Sequence, residues 1–323
     1  MTYKTGKERK STFPWVLFLV VIITSLVVMS GLSLNKIREG QPGFLTNLWL
    51  KDAKANSDPI LAENPAALEI PKYVKTIMFL GKDASEDGTY RTDVMLLAAF
   101  NVKTGKINLF SLPRDLWVTI PGWEDQRLNT AQPHGGNALL GDTLAYNFGF
   151  RPDHYAMVDF TGFMNMIYVI DGIDVEVTER MEDKCDFNAE QWCVVEPGTV
   201  HMDQAQALWY ARARLNSTDF DRTRRAQEVV QAIVKKVLKP TSIPHWPAFI
   251  KAALQAIDTD VKVTDAWAYA FPLARFLKDD LMTTYRLTTN EAIPFTTSGG
   301  AMVLQPNYPA IEEILNQVFW ISQ

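Results

Sequence analysis

Five short clusters set arginine beside aspartate or other polar residues in otherwise apolar surroundings: Arg91-Thr92-Asp93, Pro113-Arg114-Asp115, Arg127-Leu128-Asn129, Arg212-Ala213-Arg214 and Asp219-Phe220-Asp221-Arg222. A guanidinium is planar, permanently charged and able to meet two phosphate oxygens at once. Arginines gathered beside carboxylates therefore suggest a pyrophosphate site completed by a metal-binding carboxylate pair. Asp83 follows an apolar run through a glycine, and Asp93 precedes the next such run. Carboxylates at adjacent strand ends could share one hard cation with phosphate oxygens. Magnesium suits such a place, since it takes only one or two protein carboxylates and keeps waters.

Each cluster also has a plainer explanation. Asp83 and Asp93 fit turn caps, and Arg91 fits an intrachain pair with Asp93 or Asp115. Arg212 and Arg214 are two apart, so they diverge on a helix and converge only where the helix ends or the backbone is extended. Asp219 or Asp221 fits the N-cap of a following helix. Arg222, Arg224 and Arg225 then crowd that helix's first turns, where its dipole disfavours cations and a phosphate would relieve the cost. Arg222 is the best phosphate ligand of the three, and Arg224 and Arg225 fit solvated positions. His134, His154, His201 and His245 lack zinc-ligand spacing, and Ser111 lacks a nucleophile-elbow context.

These clusters need a layered scaffold to position them. Residues 1–12 form a basic tail, and residues 13–34 are apolar and uncharged, long enough to cross a bilayer as one helix. The basic flank directs the N-terminus to the cytoplasm and the rest outside, as a retained signal anchor in the cell membrane. Residues 35–71 carry Pro42, Pro59 and Pro65 and read as a stalk. Residues 72–323 interleave strands with helices and read as an α/β or α+β layered domain. Strands are expected at 74–80, 94–100, 107–112, 173–177, 282–289 and 302–306, with 94–112 a hairpin. Helices are expected at 136–148, 159–170, 202–214, 221–238, 246–257, 264–277 and 309–319, with Val229, Val230, Ile233, Val234 and Val237 on one face of the fourth. The net charge of −5 argues against nucleic acid as a partner. Cys185 and Cys193 lie eight apart in a polar loop, where an extracytoplasmic address permits a disulfide.

The ordered segments FLGKDAS, YRTDVMLL, INLFSLPRDLWVTIPG, RLNTAQPHGG, PDHYAMVDFTGFMNMI, DGIDVEV and MDQAQALWYARARLNSTDFDRTRRAQEVV resemble the LytR-CpsA-Psr family of cell-wall glycopolymer ligases. The resemblance is dense over residues 74–238 and implies an α/β fold, an αβα sandwich with a mixed central sheet flanked by helices. It implies a membrane-anchored phosphotransferase that joins a glycopolymer, such as teichoic acid or capsule polysaccharide, to peptidoglycan. The donor would be a polyprenyl-pyrophosphate lipid, the new bond a phosphodiester, and hydrolysis of the pyrophosphate a side activity. It further implies that Asp83 and Asp93 hold Mg2+, and that Arg91, Arg114, Arg127, Arg212, Arg214 and Arg222 grip the phosphates with Asp219 orienting them. Arg114, Asp93 and Arg212 would form the catalytic centre, with Asp93 or Asp115 as the base. The lipid tail would occupy an apolar cavity, for which the helix at 160–170 and the valines of 229–237 are candidates, though an ordinary core explains them equally. The sequence departs from the family pattern at Asp221, where a small residue is usual, and at Arg225-Ala226-Gln227. The alternative is a non-catalytic binder of polyprenyl phosphate or wall polymer acting as an attenuator.

Overall fold

The computed structural model describes residues 67–84, 90–215, 218–262, 269 and 282–321. The tail 1–12, the span 13–34 and all but the end of the stalk 35–71 lie outside these residues. So does the helix expected at 264–277, apart from Tyr269. Among the described residues, no helix is long and apolar enough to cross a membrane.

The chain opens with β1 (Val74–Ala84), β2 (Tyr90–Asn101) and β3 (Ile107–Ser111), then the short β4 (Trp117–Thr119) and β5 (Asp125–Arg127). Helix α1 (Ala131–Phe148), β6 (His154–Asp159), α2 (Phe160–Val169) and β7 (Ile173–Val177) follow. Next come β8 (Met181–Lys184), β9 (Trp192–Val195), β10 (Gly198–Met202), α3 (Gln204–Arg212), α4 (Asp219–Leu238) and α5 (Trp246–Ala256). The chain closes with β11 (Ile257–Thr259), β12 (Met282–Arg286), β13 (Ala292–Thr296), β14 (Met302–Pro306) and α6 (Tyr308–Val318). The central sheet has the order β11-β6-β1-β2-β3-β12. β1 pairs parallel with β6 and β3 parallel with β12, while β1, β2 and β3 form an antiparallel meander. β1, β3, β6 and β12 therefore run one way, and their C-terminal ends share one edge.

Both faces of the sheet are covered. Met78, Leu80, Leu97 and Phe110 pack on one side against Leu140 and Leu144 of α1 and Ile311 and Leu315 of α6. Ile77, Leu96, Ile107 and Leu109 pack on the other against Val230, Val234 and Leu238 of α4. Each fully buried side chain of this size contributes roughly 1.5–3 kcal/mol. The valines of α4 do not form one face: Val229, Ile233 and Val237 turn away from the sheet to a further cluster with β7 and α3. A helix held between two apolar surfaces needs apolar residues on both sides, so this stretch is core.

Several boundaries differ from the sequence expectation. β1 runs on through Asp83, and β2 starts early enough to contain Arg91 and Asp93. The run 202–214 divides, because Met202 completes β10 against Ile173 and Asp203 then caps α3 with a capping box. α1 begins at Ala131 and bends at Gly135-Gly136, where Gly136 has φ of 65°. The loop around the cysteines is the hairpin β8–β9, and Cys185 and Cys193 are joined as a disulfide with Cα atoms 5.8 Å apart.

Candidate active site at the C-terminal edge of the sheet

β1 and β2 supply the first carboxylates. Their register shifts between Gly81 and Lys82, so that Gly81 faces Val94 and Lys82 faces Thr92, leaving Asp93 as the extra residue of a bulge. Asp83 lies opposite Arg91 one position further on. A side chain at Gly81 would bring its Cβ to 3.0 Å from the Cβ of Val94, so the close approach at the bulge favours glycine. Next, β3 ends and Pro113, which has no N–H to continue a ladder, turns the chain out of the sheet. Arg114 follows directly, and its carbonyl accepts from the N–H of Asn129 at 3.2 Å.

The turn after α3 delivers the second group. α3 ends at Arg212, and Ala213 is extended (φ −54°, ψ 145°). Arg212 and Arg214 therefore point to the same region: Arg212 Nη2 lies 3.4 Å from Asp83 Oδ2, and Arg214 Nη2 lies 4.0 Å from Asp93 Oδ2. The ring of Phe160, the first residue of α2, lies beneath the Arg212 guanidinium at 4.1 Å.

Neither Asp219 nor Asp221 is the N-cap of α4. Thr218 caps the helix, accepting from the Asp221 N–H, while the Asp221 carboxylate accepts from the Thr218 N–H at 2.7 Å. That reciprocal box accounts for a carboxylate at 221 and frees Asp219 for the site. Arg222 pairs with Asp219 and lies 3.9 Å from Asp115.

Arg114 joins the two groups. It donates from Nη1 to Asp93 Oδ1 at 2.6 Å, and its Nε lies 3.5 Å from Asp115 and 3.8 Å from Asp219. Arg127 meets Asp115 at 3.0 Å and donates to the Met302 carbonyl at 2.9 Å. Arg91 is exposed and, with Arg114, Asp115, Trp117 and Arg127, lines a cavity of about 490 Å³. Thus six arginines and four aspartates gather here, a surplus of two positive charges among these ten side chains. Burial, followed by repulsion from Arg114 and Arg214, brings the Arg222 guanidinium down to about 10. Arg114 Nε and Arg127 Nε are buried and meet Asp115 only as ion pairs, at 3.5 and 3.0 Å, without an aligned hydrogen bond, and Asp219 Oδ2 is buried without a hydrogen-bond partner. Buried donors without an aligned acceptor are costly, and an anion with several oxygens would supply one to both guanidinium nitrogens while relieving the crowding.

The six arginines and three aspartates singled out for the site, and Asp115 with them, lie at this edge of the sheet. Asp93 and Arg114 are in direct contact, whereas Arg212 pairs with Asp83. Asp83 and Asp93 are hard oxygen donors on adjacent strands, and each faces an arginine suited to a phosphate, so the donor chemistry fits magnesium. Among the described residues, no three carboxylate, histidine or cysteine side chains gather as a metal cage.

Arg224 and Arg225 are not solvated. Arg224 pairs with Glu228 and Glu179, and Arg225 is 1% exposed, donating to the carbonyls of Tyr210 at 2.9 Å and Ala213 at 2.6 Å. It thus holds the turn that carries Arg212 and Arg214. Asp183 of β8 holds the same turn from outside, accepting from the N–H groups of Arg214 and Leu215 at 2.5 and 3.0 Å. Neither role has a sequence signal, since the partners are backbone atoms remote in the chain.

Comparison with known proteins agrees with this architecture. The chain is 31% identical over 175 residues to the regulatory protein MsrR of Staphylococcus aureus, covering 53% of this chain and 52% of that protein. It is 29% identical to the Enterococcus faecalis protein named polyisoprenyl-teichoic acid–peptidoglycan teichoic acid transferase TagU, covering 59% and 62%. The matched stretch spans about half the length of the first of these relatives. The fold is shared with the crystal structure of Bacillus subtilis TagV, with a TM-score of 0.64 at 23% identity over 78% of this chain and 100% of that one. The LytR_cpsA_psr family model matches residues 49–319, and the chain belongs to that family.

Proposed function

We propose that this protein is a membrane-anchored phosphotransferase that moves a glycopolymer from a polyprenyl-pyrophosphate carrier to peptidoglycan, leaving a phosphodiester link. The observation that carries this reading is the gathering of Arg91, Arg114, Arg127, Arg212, Arg214 and Arg222 with four aspartates at one sheet edge, with two buried guanidinium nitrogens that lack an aligned hydrogen bond. The name of the TagU relative, a teichoic acid transferase acting on peptidoglycan, supports the same reaction class.

Phosphoryl transfer needs positioning and neutralisation of charge on the phosphate oxygens more than covalent help from the protein. Arg114, Arg127 and Arg222 bind the pyrophosphate oxygens in exchange for part of their present carboxylate pairing. Arg212 and Arg214 close on them from the α3 turn. Asp83 and Asp93 would hold magnesium, which when bound supplies further neutralisation of the phosphate charge. Asp93 or Asp115 accepts the proton of the attacking sugar hydroxyl. That oxygen bonds to the glycan-bearing phosphorus, the bridging P–O bond breaks, and polyprenyl phosphate leaves. Water in place of the sugar hydroxyl gives hydrolysis, the pyrophosphatase side reaction. The span at 13–34 anchors the domain beside its lipid donor on the outer face of the membrane.

The regulatory name of MsrR favours a second reading, a binder that performs no chemistry. Full-length protein in detergent, given a polyprenyl-pyrophosphate glycan, magnesium and peptidoglycan fragments, separates the two. Mass spectrometry should detect a phosphodiester-linked glycan that chelation abolishes. Donor binding with no new product, beside an active control enzyme, would establish the binder instead.

A further inference from the structure

The hairpin β8–β9 lies outside the phosphate site yet meets it at one point. Asp183 sits in β8 directly opposite Cys193 in the hairpin register, and Cys193 is bonded to Cys185 two residues beyond Asp183. The Asp183 carboxylate accepts from two successive N–H groups, those of Arg214 and Leu215. The hairpin has a second hold on the same helix, because Trp209 Nε1 of α3 donates to the Lys184 carbonyl at 2.9 Å. A four-residue strand pair is too short to be stable alone; Met181 and Val195 bury its base in the cluster with β7 and α3, and the disulfide closes its far end beside Asp183.

The turn needs that support. Arg214 follows a helix end through one extended residue, and its side chain is 64% exposed. Its own contact with the site is a 4.0 Å approach to Asp93. Little besides its backbone anchorage fixes where its guanidinium lies.

We propose that Asp183 is a positioning residue for Arg214, and that the Cys185–Cys193 disulfide, by holding Asp183, makes the grip on a pyrophosphate redox-sensitive. This rests on the phosphotransferase reading of the site. Reduction by a dithiol transfers two electrons and two protons to the cystine, giving two thiols here and a disulfide in the reductant. The hairpin then loosens, Asp183 withdraws from the two N–H groups, and Arg214 loses its placement.

The test is a double-mutant cycle on full-length protein in detergent, reading inorganic pyrophosphate affinity by calorimetry and KM and kcat for transfer. Asp183→Ala should weaken pyrophosphate binding about tenfold, as expected for loss of charge-assisted anchoring, and act chiefly on KM. It should add nothing once Arg214→Ala is present, yet add fully to Arg127→Ala across the site. Asp183→Asn, which keeps an acceptor oxygen, should recover part of the loss. Dithiol treatment of the wild type should weaken binding in the same direction and leave Cys185→Ser/Cys193→Ser unchanged. Additivity of Asp183→Ala with Arg214→Ala would overturn the positioning role, as would wild-type affinity in Asp183→Ala. If Arg114→Ala and Arg214→Ala both bind pyrophosphate like the wild type, the phosphate site itself is wrong. Should Asp183→Ala fail to fold, the wild type with and without dithiol, beside the serine double variant, decides the same question.

Discussion

Arg114 is the residue on which the cluster depends, because it touches carboxylates from β2, from its own turn and from the start of α4. Truncating it removes the donor nearest the centre and leaves Asp93 facing Arg214 alone at 4.0 Å. Arg114→Ala is expected to lower kcat/KM for transfer by roughly 100-fold or more, the usual cost of losing a preorganised donor to transferring charge. Arg151→Ala, at an exposed pair with Asp142 on α1, should leave transfer intact and stability within about 1 kcal/mol. Steady-state kinetics with thermal melts checks both, and equal losses in the two variants would remove Arg114 from the mechanism. Asp83→Asn is expected to raise the magnesium concentration for half-maximal transfer by about tenfold or more. An unchanged magnesium titration would take Asp83 out of the metal site. These residues were legible in the sequence because arginine and aspartate stand out against apolar strands, where burial of unpaired charge is costly. Their pairing was not legible. Arg114 with Asp93, rather than Arg91 with Asp93, follows from the bulge at Gly81, which no local pattern announces.

Among the elements, the N-terminus of α4 does two jobs with adjacent residues. Thr218 and Asp221 cap the helix, while Asp219 and Arg222 join the arginine–aspartate cluster. Burial alone would raise the Asp221 carboxyl, but hydrogen bonds from the Thr218 backbone and hydroxyl outweigh it and hold it below the usual carboxylate range. A depressed folded pKa contributes stability above the unfolded value, near 3.9. That contribution is lost as pH falls through the folded value. Asp221→Asn should therefore be less stable than wild type at neutral pH, by about 1 kcal/mol. The difference should close as pH drops below about 4. Denaturant titrations at neutral and acid pH measure it, and a gap independent of pH would mean the carboxylate charge is not what caps α4. Thr218 was missed as the cap because a capping box places good capping residues at both ends of four positions. The long apolar strands β1 to β3 and helices α4 to α6 were legible from periodicity. β4, β5, β8 and β9, at three or four residues each, are too short to carry a period and are fixed by pairing with distant chain.

At the scale of the whole molecule, the charge distribution and the cystine bear on where the protein works. The chain is acidic overall at −5, yet the ten site side chains carry a surplus of two positive charges, so their field favours a polyanionic ligand there. Pyrophosphate affinity should accordingly fall as salt rises from 0.05 to about 0.5 M, as the Debye length shrinks below the size of the cluster. The cystine is a more direct reporter of location. Disulfides persist in oxidising compartments and are rare in the cytosol. Cys185 and Cys193 are the two cysteines of the sequence, so thiol alkylation reads the state of this pair without interference. If the apolar span at 13–34 carries the domain out of the cytoplasm, the full chain trapped in living cells should resist alkylation until reduced. Deleting residues 1–35 should strand the domain in the cytosol with both cysteines open to the reagent. Alkylation of both thiols in the full chain would refute the outward orientation, and with it the meeting of this site with a glycan carrier on the outer membrane face. Protection in the truncated chain as well would show that the hairpin forms its cystine without export, and that the pair reports local geometry rather than address.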